Sequence, residues 1–133
     1  MYKLPDGQMD IYAVYSPLEA LLNPEDRFVR WAKAIPWEAL EAEWSGKLFA
    51  HRGAPAKPLR LSLGAYLILE RFGYSERETL RQITENPYMQ YFVGLQEFQR
   101  RPPFNVSLFS QFRGRLTPEA RRAFRGLLRR YMR

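Results

Sequence analysis

The sequence predicts an all-α, multi-helix domain containing a helix-turn-helix-like unit, and three features carry that expectation. Apolar residues recur at helical spacing, most clearly Leu61, Ala65, Ile68 and Phe72. Helix-start signals punctuate the chain at Asn23-Pro24, Ser75-Glu76-Arg77-Glu78, Asn86-Pro87 and Thr117-Pro118. No stretch alternates apolar and polar residues for long, so strands are not expected. With 46% apolar and 15% aromatic residues, a chain of 133 residues can bury one core of ordinary size.

Residues 1–22 read as an N-terminal arm, or as a short first helix around Ser16–Leu22. Residues 23–133 read as the helical domain. Asn23-Pro24-Glu25-Asp26 supplies a cap residue, a proline at the first helical position and two acids in the first turn. That helix should end before Pro36. A second helix follows, with Trp37, Leu40, Trp44 and Leu48 on one stripe and Glu38, Glu41 and Glu43 on its outer face. His51 to Pro58 is a loop by composition.

The clearest helix spans about Leu59–Phe72, with Gly64, Leu67 and Leu69 widening its apolar face, and Gly73 stops it. Ser75 and Glu78 then form a capping box, in which the serine caps forward and the glutamate reaches back. The helix so opened turns Leu80 and Ile83 inward and ends near Asn86. Pro87 starts a short aromatic helix closed by Gly94. After the break at Arg101-Pro102-Pro103, a helix starts at Ser107 and is interrupted at Gly114. Thr117-Pro118-Glu119 opens the last helix, with Ala120, Phe124, Leu127, Leu128 and Tyr131 as its apolar face.

Charge is distributed unevenly. The whole chain carries +7, yet residues 98–133 hold ten arginines and one acid, Glu119. Such a block points to a polyanion, and double-stranded DNA is the first candidate. Arginine outnumbers lysine 17 to 4, which suits bidentate binding of phosphate. The phosphate-contact candidates are Arg113, Arg115, Arg121, Arg122, Arg125, Arg129 and Arg130. On the last helix, like charges four residues apart repel, and no acid interleaves beyond Glu119. The competing reading is a solvated face, or a helix docked on an acidic partner: a catalytic domain or a second copy of the chain.

The pair of helices around Gly73-Tyr74-Ser75 could place its second helix in a major groove. Its exposed positions make Arg77, Arg81 and Gln82 the base-contact candidates, since arginine pairs with guanine and glutamine with adenine. Segments Pro87–Val93 and Ser107–Leu116 are alternative recognition helices. A plain helical bundle with a charged face accounts for the same spacing. Trp31, Trp37 and Trp44 read as core.

Other classes are disfavoured. The chain has no cysteine, hence no disulfide or thiolate metal site. His51 lacks a partner at ligand spacing, and no phosphate loop or nucleophile motif occurs. No catalytic residue, metal, cofactor or small-molecule ligand is expected. The N-terminus lacks a signal-peptide layout, and no apolar run nears the roughly 20 residues of a membrane span. The expectation is a cytoplasmic, nucleoid-associated protein without membrane contact.

Residues 58–116 resemble the N-terminal domain of InsH-type insertion-sequence DDE transposases. The matching text is Pro58 to Ala65, Glu70-Arg71-Phe72-Gly73-Tyr74-Ser75, Glu78 to Ile83, and Glu85-Asn86-Pro87-Tyr88-Met89-Gln90-Tyr91-Phe92-Val93-Gly94-Leu95. It continues through Pro102-Pro103-Phe104-Asn105-Val106-Ser107-Leu108 and Phe112-Arg113. Upstream, Ile35 to Leu40 is also similar. Asn105 stands where the family usually has aspartate, and both residues cap helices. The resemblance implies an all-α DNA-binding and assembly domain that recognises terminal inverted repeats. In such proteins an RNase H-like domain with three acids and two metal ions follows. No residue here corresponds to that triad, so the expectation is a non-catalytic piece: a fragment, an inhibitor or a remnant.

Overall fold

A computed structural model describes residues 17–49 and 58–133. Of the arm expected at residues 1–22, residues 1–16 lie outside the described residues, as does the loop containing His51. Among the described residues there are eight helices and no strand: α1 (Pro17–Leu21), α2 (Arg27–Ala34), α3 (Trp37–Phe49), α4 (Leu59–Phe72), α5 (Glu76–Glu85), α6 (Pro87–Phe92), α7 (Val106–Arg115) and α8 (Pro118–Tyr131). The expected all-α class is the observed one.

Helix α4 is the axis of the fold. Its residues from Leu63 to Leu69 are all buried, which is the pattern of a helix covered on every side. Helices α3, α5, α7 and α8 pack on it, while α2 packs against α6 and α6 against α5. Gly64 marks the tightest approach. A Cβ there would lie 3.1 Å from Val93 Cα and 3.0 Å from Val93 Cγ1. Alanine would gain about 1 kcal/mol of helix propensity, but a backbone atom cannot yield as a side-chain tip can. Gly64→Ala should therefore destabilise the fold by about 1–2 kcal/mol in urea unfolding. A stabilised variant would contradict this packing.

Several local signals act as expected. Gly73 adopts φ 71° and its N–H bonds Leu69 O, ending α4. Thr117 caps α8 through Ala120 N at 3.0 Å, with Pro118 at the first helical position. Asn86 caps α6 through the amides of Tyr88 and Met89.

Other expectations need correction. Helix α2 starts one turn after Asn23. Asn23 and Asp26 can both cap, and Asn23 closes a turn onto Glu25 N at 2.9 Å while Asp26 takes Phe28 N at 2.8 Å. Glu41 is not an outer-face residue: its carboxylate accepts from Leu59 N at 3.1 Å. It caps α4, whose own Pro58 makes no side-chain cap bond. In the Ser75 box only the forward half forms, at 3.1 Å to Glu78 N, and the Glu78 carboxylate instead accepts from Gln82 Nε2 at 2.7 Å. Helix α7 begins at Val106, capped by Asn105, and runs through Gly114 without a break. An exposed helical glycine costs only about 1 kcal/mol, less than burying Phe109 and Phe112 beside it returns.

Candidate nucleic-acid interface

Helix α8 is amphipathic, and its geometry sorts the arginines. Ala120 and Phe124 are completely buried. At 100° per residue, the opposite stripe holds Arg122, Gly126 and Arg129, and Arg133 follows just past the end of the helix. Arg122, Arg129 and Arg130 are exposed, and none meets a carboxylate among the described residues. Arg130 lies over the Tyr131 ring, 5.4 Å from its centroid. Arg133 Nε donates to Arg129 O at 2.6 Å.

The flanks of the helix differ. Arg125 Nη2 sits 3.4 Å from Glu70 Oε1 of α4. That carboxylate also neighbours the Tyr66 hydroxyl, a phenol whose pKa is raised first by burial and then by Glu70. Arg121 Nη2 donates to Arg113 O at 2.9 Å. Arg113 in turn pairs with Glu76 Oε2 at 2.8 Å, and Ser110 Oγ donates to the other Glu76 oxygen. The sequence offered no acids to relieve these arginines because the relieving acids come from α4 and α5. Local spacing cannot show a partner 37 or 55 residues away.

The Ser110 bond, and after it Arg113, hold the Glu76 carboxyl below its ordinary range. A lowered carboxylate stabilises the fold above its unfolded pKa. That contribution disappears as pH falls through the lowered folded value. The join between α5 and α7 is therefore at full strength above the ordinary carboxylate range and weakens in acid.

Arg77 and Arg81 stand on the exposed side of α5, opposite the buried Leu80 and Ile83. They line a cleft of about 640 Å³ between α5 and the start of α7, where Phe104, Asn105 and Ser107 form the other wall. Arg81 has an ion pair with Glu85 at 3.6 Å, but the side chains are 71% and 62% exposed, so the pair is weak. Gln82 is half-buried and its amide nitrogen is held by Glu78. Arg115 is half-buried over the Phe49 ring at 5.5 Å. The structure thus brings Arg77 and Arg81 together in one cleft and Arg122 and Arg129 onto one stripe. Glu76, Arg113 and Arg121 join α5, α7 and α8, the helices that carry the two groups, by direct bonds. No group of three or more His, Asp or Glu able to hold a metal occurs among the described residues. No described helix is long and apolar enough to cross a membrane.

The family model described as Transposase domain (DUF772) matches residues 16–115. The chain belongs to that transposase-domain family. The match takes in α1 to α7, including the Arg77–Arg81 cleft, and α8 with its arginine stripe follows it. A curated relative of this transposase domain is the uncharacterized protein ORF8 in the nfe locus of Rhizobium meliloti, 32% identical over 113 residues. The alignment covers 85% of this chain and 53% of the relative, so the chain spans about half the relative's length. No solved structure matches the chain.

Proposed function

We propose that this transposase-family chain is the DNA-binding domain of an insertion-sequence transposase and recognises the element's terminal inverted repeats. The observation that carries the reading is the outward stripe of α8. Among the described residues its arginines have no carboxylate partner, in a fold that neutralises their neighbours. Arg122, Arg129 and Arg130 hold phosphates and set the position of the duplex. Arg77 and Arg81 reach base edges, with α4, Gly73-Tyr74-Ser75 and α5 as the helix-turn-helix-like unit. Gln82 joins them by exchanging its bond to Glu78 for one to a base. Arg113, Arg121 and Arg125 brace the frame through their in-chain partners, and Arg115 flanks it. Strand chemistry belongs to an RNase H-like domain working with this one.

The test is binding to a duplex carrying the terminal repeat and to a scrambled duplex across a salt series. Wild type should prefer the repeat, with affinity falling steeply as salt rises. Replacing Arg122, Arg129 and Arg130 together by glutamine should weaken both complexes alike and shrink the log–log salt slope by about 2–3. An unchanged slope, with only the oligomeric state altered, would overturn the phosphate assignment. It would favour the rival reading, in which α8 docks on an acidic partner domain or a second copy.

A further inference from the structure

Arg27 and Arg71, outside the C-terminal block, are among the arginines that lack a carboxylate among the described residues. Arg27 opens α2 and Arg71 lies in the last turn of α4. Their guanidinium carbons are 5.1 and 5.2 Å from the centroid of one ring, Phe72, and both are 5.6 Å from that of Trp31. Their separation is therefore no more than roughly one Debye length in 0.1 M salt, about 10 Å. Neither forms an ion pair among the described residues. The acid next in sequence, Asp26, is engaged with the amide of Phe28.

Arg27 is electrostatically misplaced for the helix it begins. A helix N-terminus carries partial positive charge and disfavours a cation. Contact with the rings offsets part of that cost: Arg27 lies over Phe28 at 5.4 Å and shares Trp31 and Phe72 with Arg71. Arg71 fixes where this concentration of charge lies. Its Nε donates to Met132 O at 3.0 Å, beside Arg133 and the end of the α8 stripe. Arg27 itself is exposed and stands ready for an external anion.

We propose that Arg27 and Arg71 form a second phosphate-binding site, on which a nucleic-acid backbone gripped along Arg122, Arg129 and Arg130 continues past the end of α8. The site extends the DNA-binding reading and rests on it. Arg71 also bonds the terminal turn of α8, so Arg27 is the residue to change.

The experiment compares wild-type full chain with Arg27→Glu and Arg27→Lys for duplex binding between about 50 and 200 mM salt, alongside thermal unfolding. Arg27→Glu should bind roughly tenfold more weakly and lower the salt slope by about one. Arg27→Lys, which keeps the charge, should bind nearly as wild type. If Arg27→Glu also lowers the melting temperature, Arg27→Gln reads the same slope without the added negative charge. Wild type that binds, with Arg27→Glu and Arg27→Gln matching it in slope, would overturn this site and leave the DNA reading standing. Equal loss in the lysine variant would overturn it too, because charge would not be the cause. A wild-type chain that binds no duplex would remove both proposals.

Discussion

Phe124→Ala should cost the fold about 3–5 kcal/mol, the range for deleting a fully buried phenylalanine. Phe124 is the residue through which the arginine helix grips the rest of the molecule. It is completely buried, meets Trp44 of α3 edge-on at 5.2 Å, and meets Tyr66 of α4 at 6.2 Å. Alanine would leave a void bounded by two aromatic rings that other helices hold in place, so little collapse can relieve it. Against a total stability of about 5–15 kcal/mol, the loss is a large share. The melting temperature should fall by roughly 10–20 °C. Phe124→Leu, which refills most of the volume, should cost clearly less. Thermal and urea unfolding of the two variants decide the matter. A loss under about 1 kcal/mol for the alanine variant would mean that α8 is not docked through this side chain.

Gln90→Leu is the second large effect. Gln90 is wholly buried and its amide is fully engaged. Nε2 donates to Ile83 O, Thr84 O and Gln99 O at 3.1, 3.2 and 2.9 Å, and Oε1 accepts from Gln99 N at 2.8 Å. One side chain therefore ties the end of α5 to the segment leading into α7. Leucine has similar bulk and cannot replace any of these bonds. The lost bonds should cost about 2–3 kcal/mol in total, because Ile83 O keeps the Asn86 amide and the groups of exposed Gln99 can rehydrate. Loosening that segment also loosens one wall of the Arg77–Arg81 cleft. Urea unfolding should show the lower midpoint, and a leucine variant as stable as wild type would show that water replaces the amide without penalty.

Most of the fold was legible where a helix carries its own start and stop. Ser75, Asn86, Thr117 and Gly73 act on residues within four positions of themselves, so their sequence context contains the whole mechanism. Legibility failed where the partner is distant or two local options compete. Glu41 caps a helix that begins 18 residues later. Asn23 and Asp26 are both good caps, and nothing in the sequence ranks them. Gln90 sits among aromatic residues of a short helix, and its partners at Ile83, Thr84 and Gln99 lie on other segments, so only its place on an apolar face signals a buried network.

The site divides in the same way. Exposure of Arg77 and Arg81 follows from Leu80 and Ile83 turning inward. The capture of Gln82 by Glu78 is an i, i+4 pair and was open to inspection. The acids that answer Arg113 and Arg125 come from other helices, as does the convergence of Arg27 and Arg71 on Phe72. Only the packed chain reveals them.

Helix α1 illustrates how unevenly such a fold holds together. At five residues it is far too short to persist alone. It is moored by Leu18, whose N–H bonds Gln96 O, and by Glu19, which accepts from the Tyr91 hydroxyl at 2.8 Å and pairs with Lys33 at 3.2 Å. Burial first, and then Glu19, push the Tyr91 phenol up to about 12, so this mooring keeps its proton well into alkaline solution. Every one of these anchors is distant in sequence, and α6 must already be seated before most of them exist. In time, therefore, α1 is a late arrival and an early departure. Hydrogen exchange should find its amides opening locally, and those of α4 exchanging only as the whole molecule unfolds.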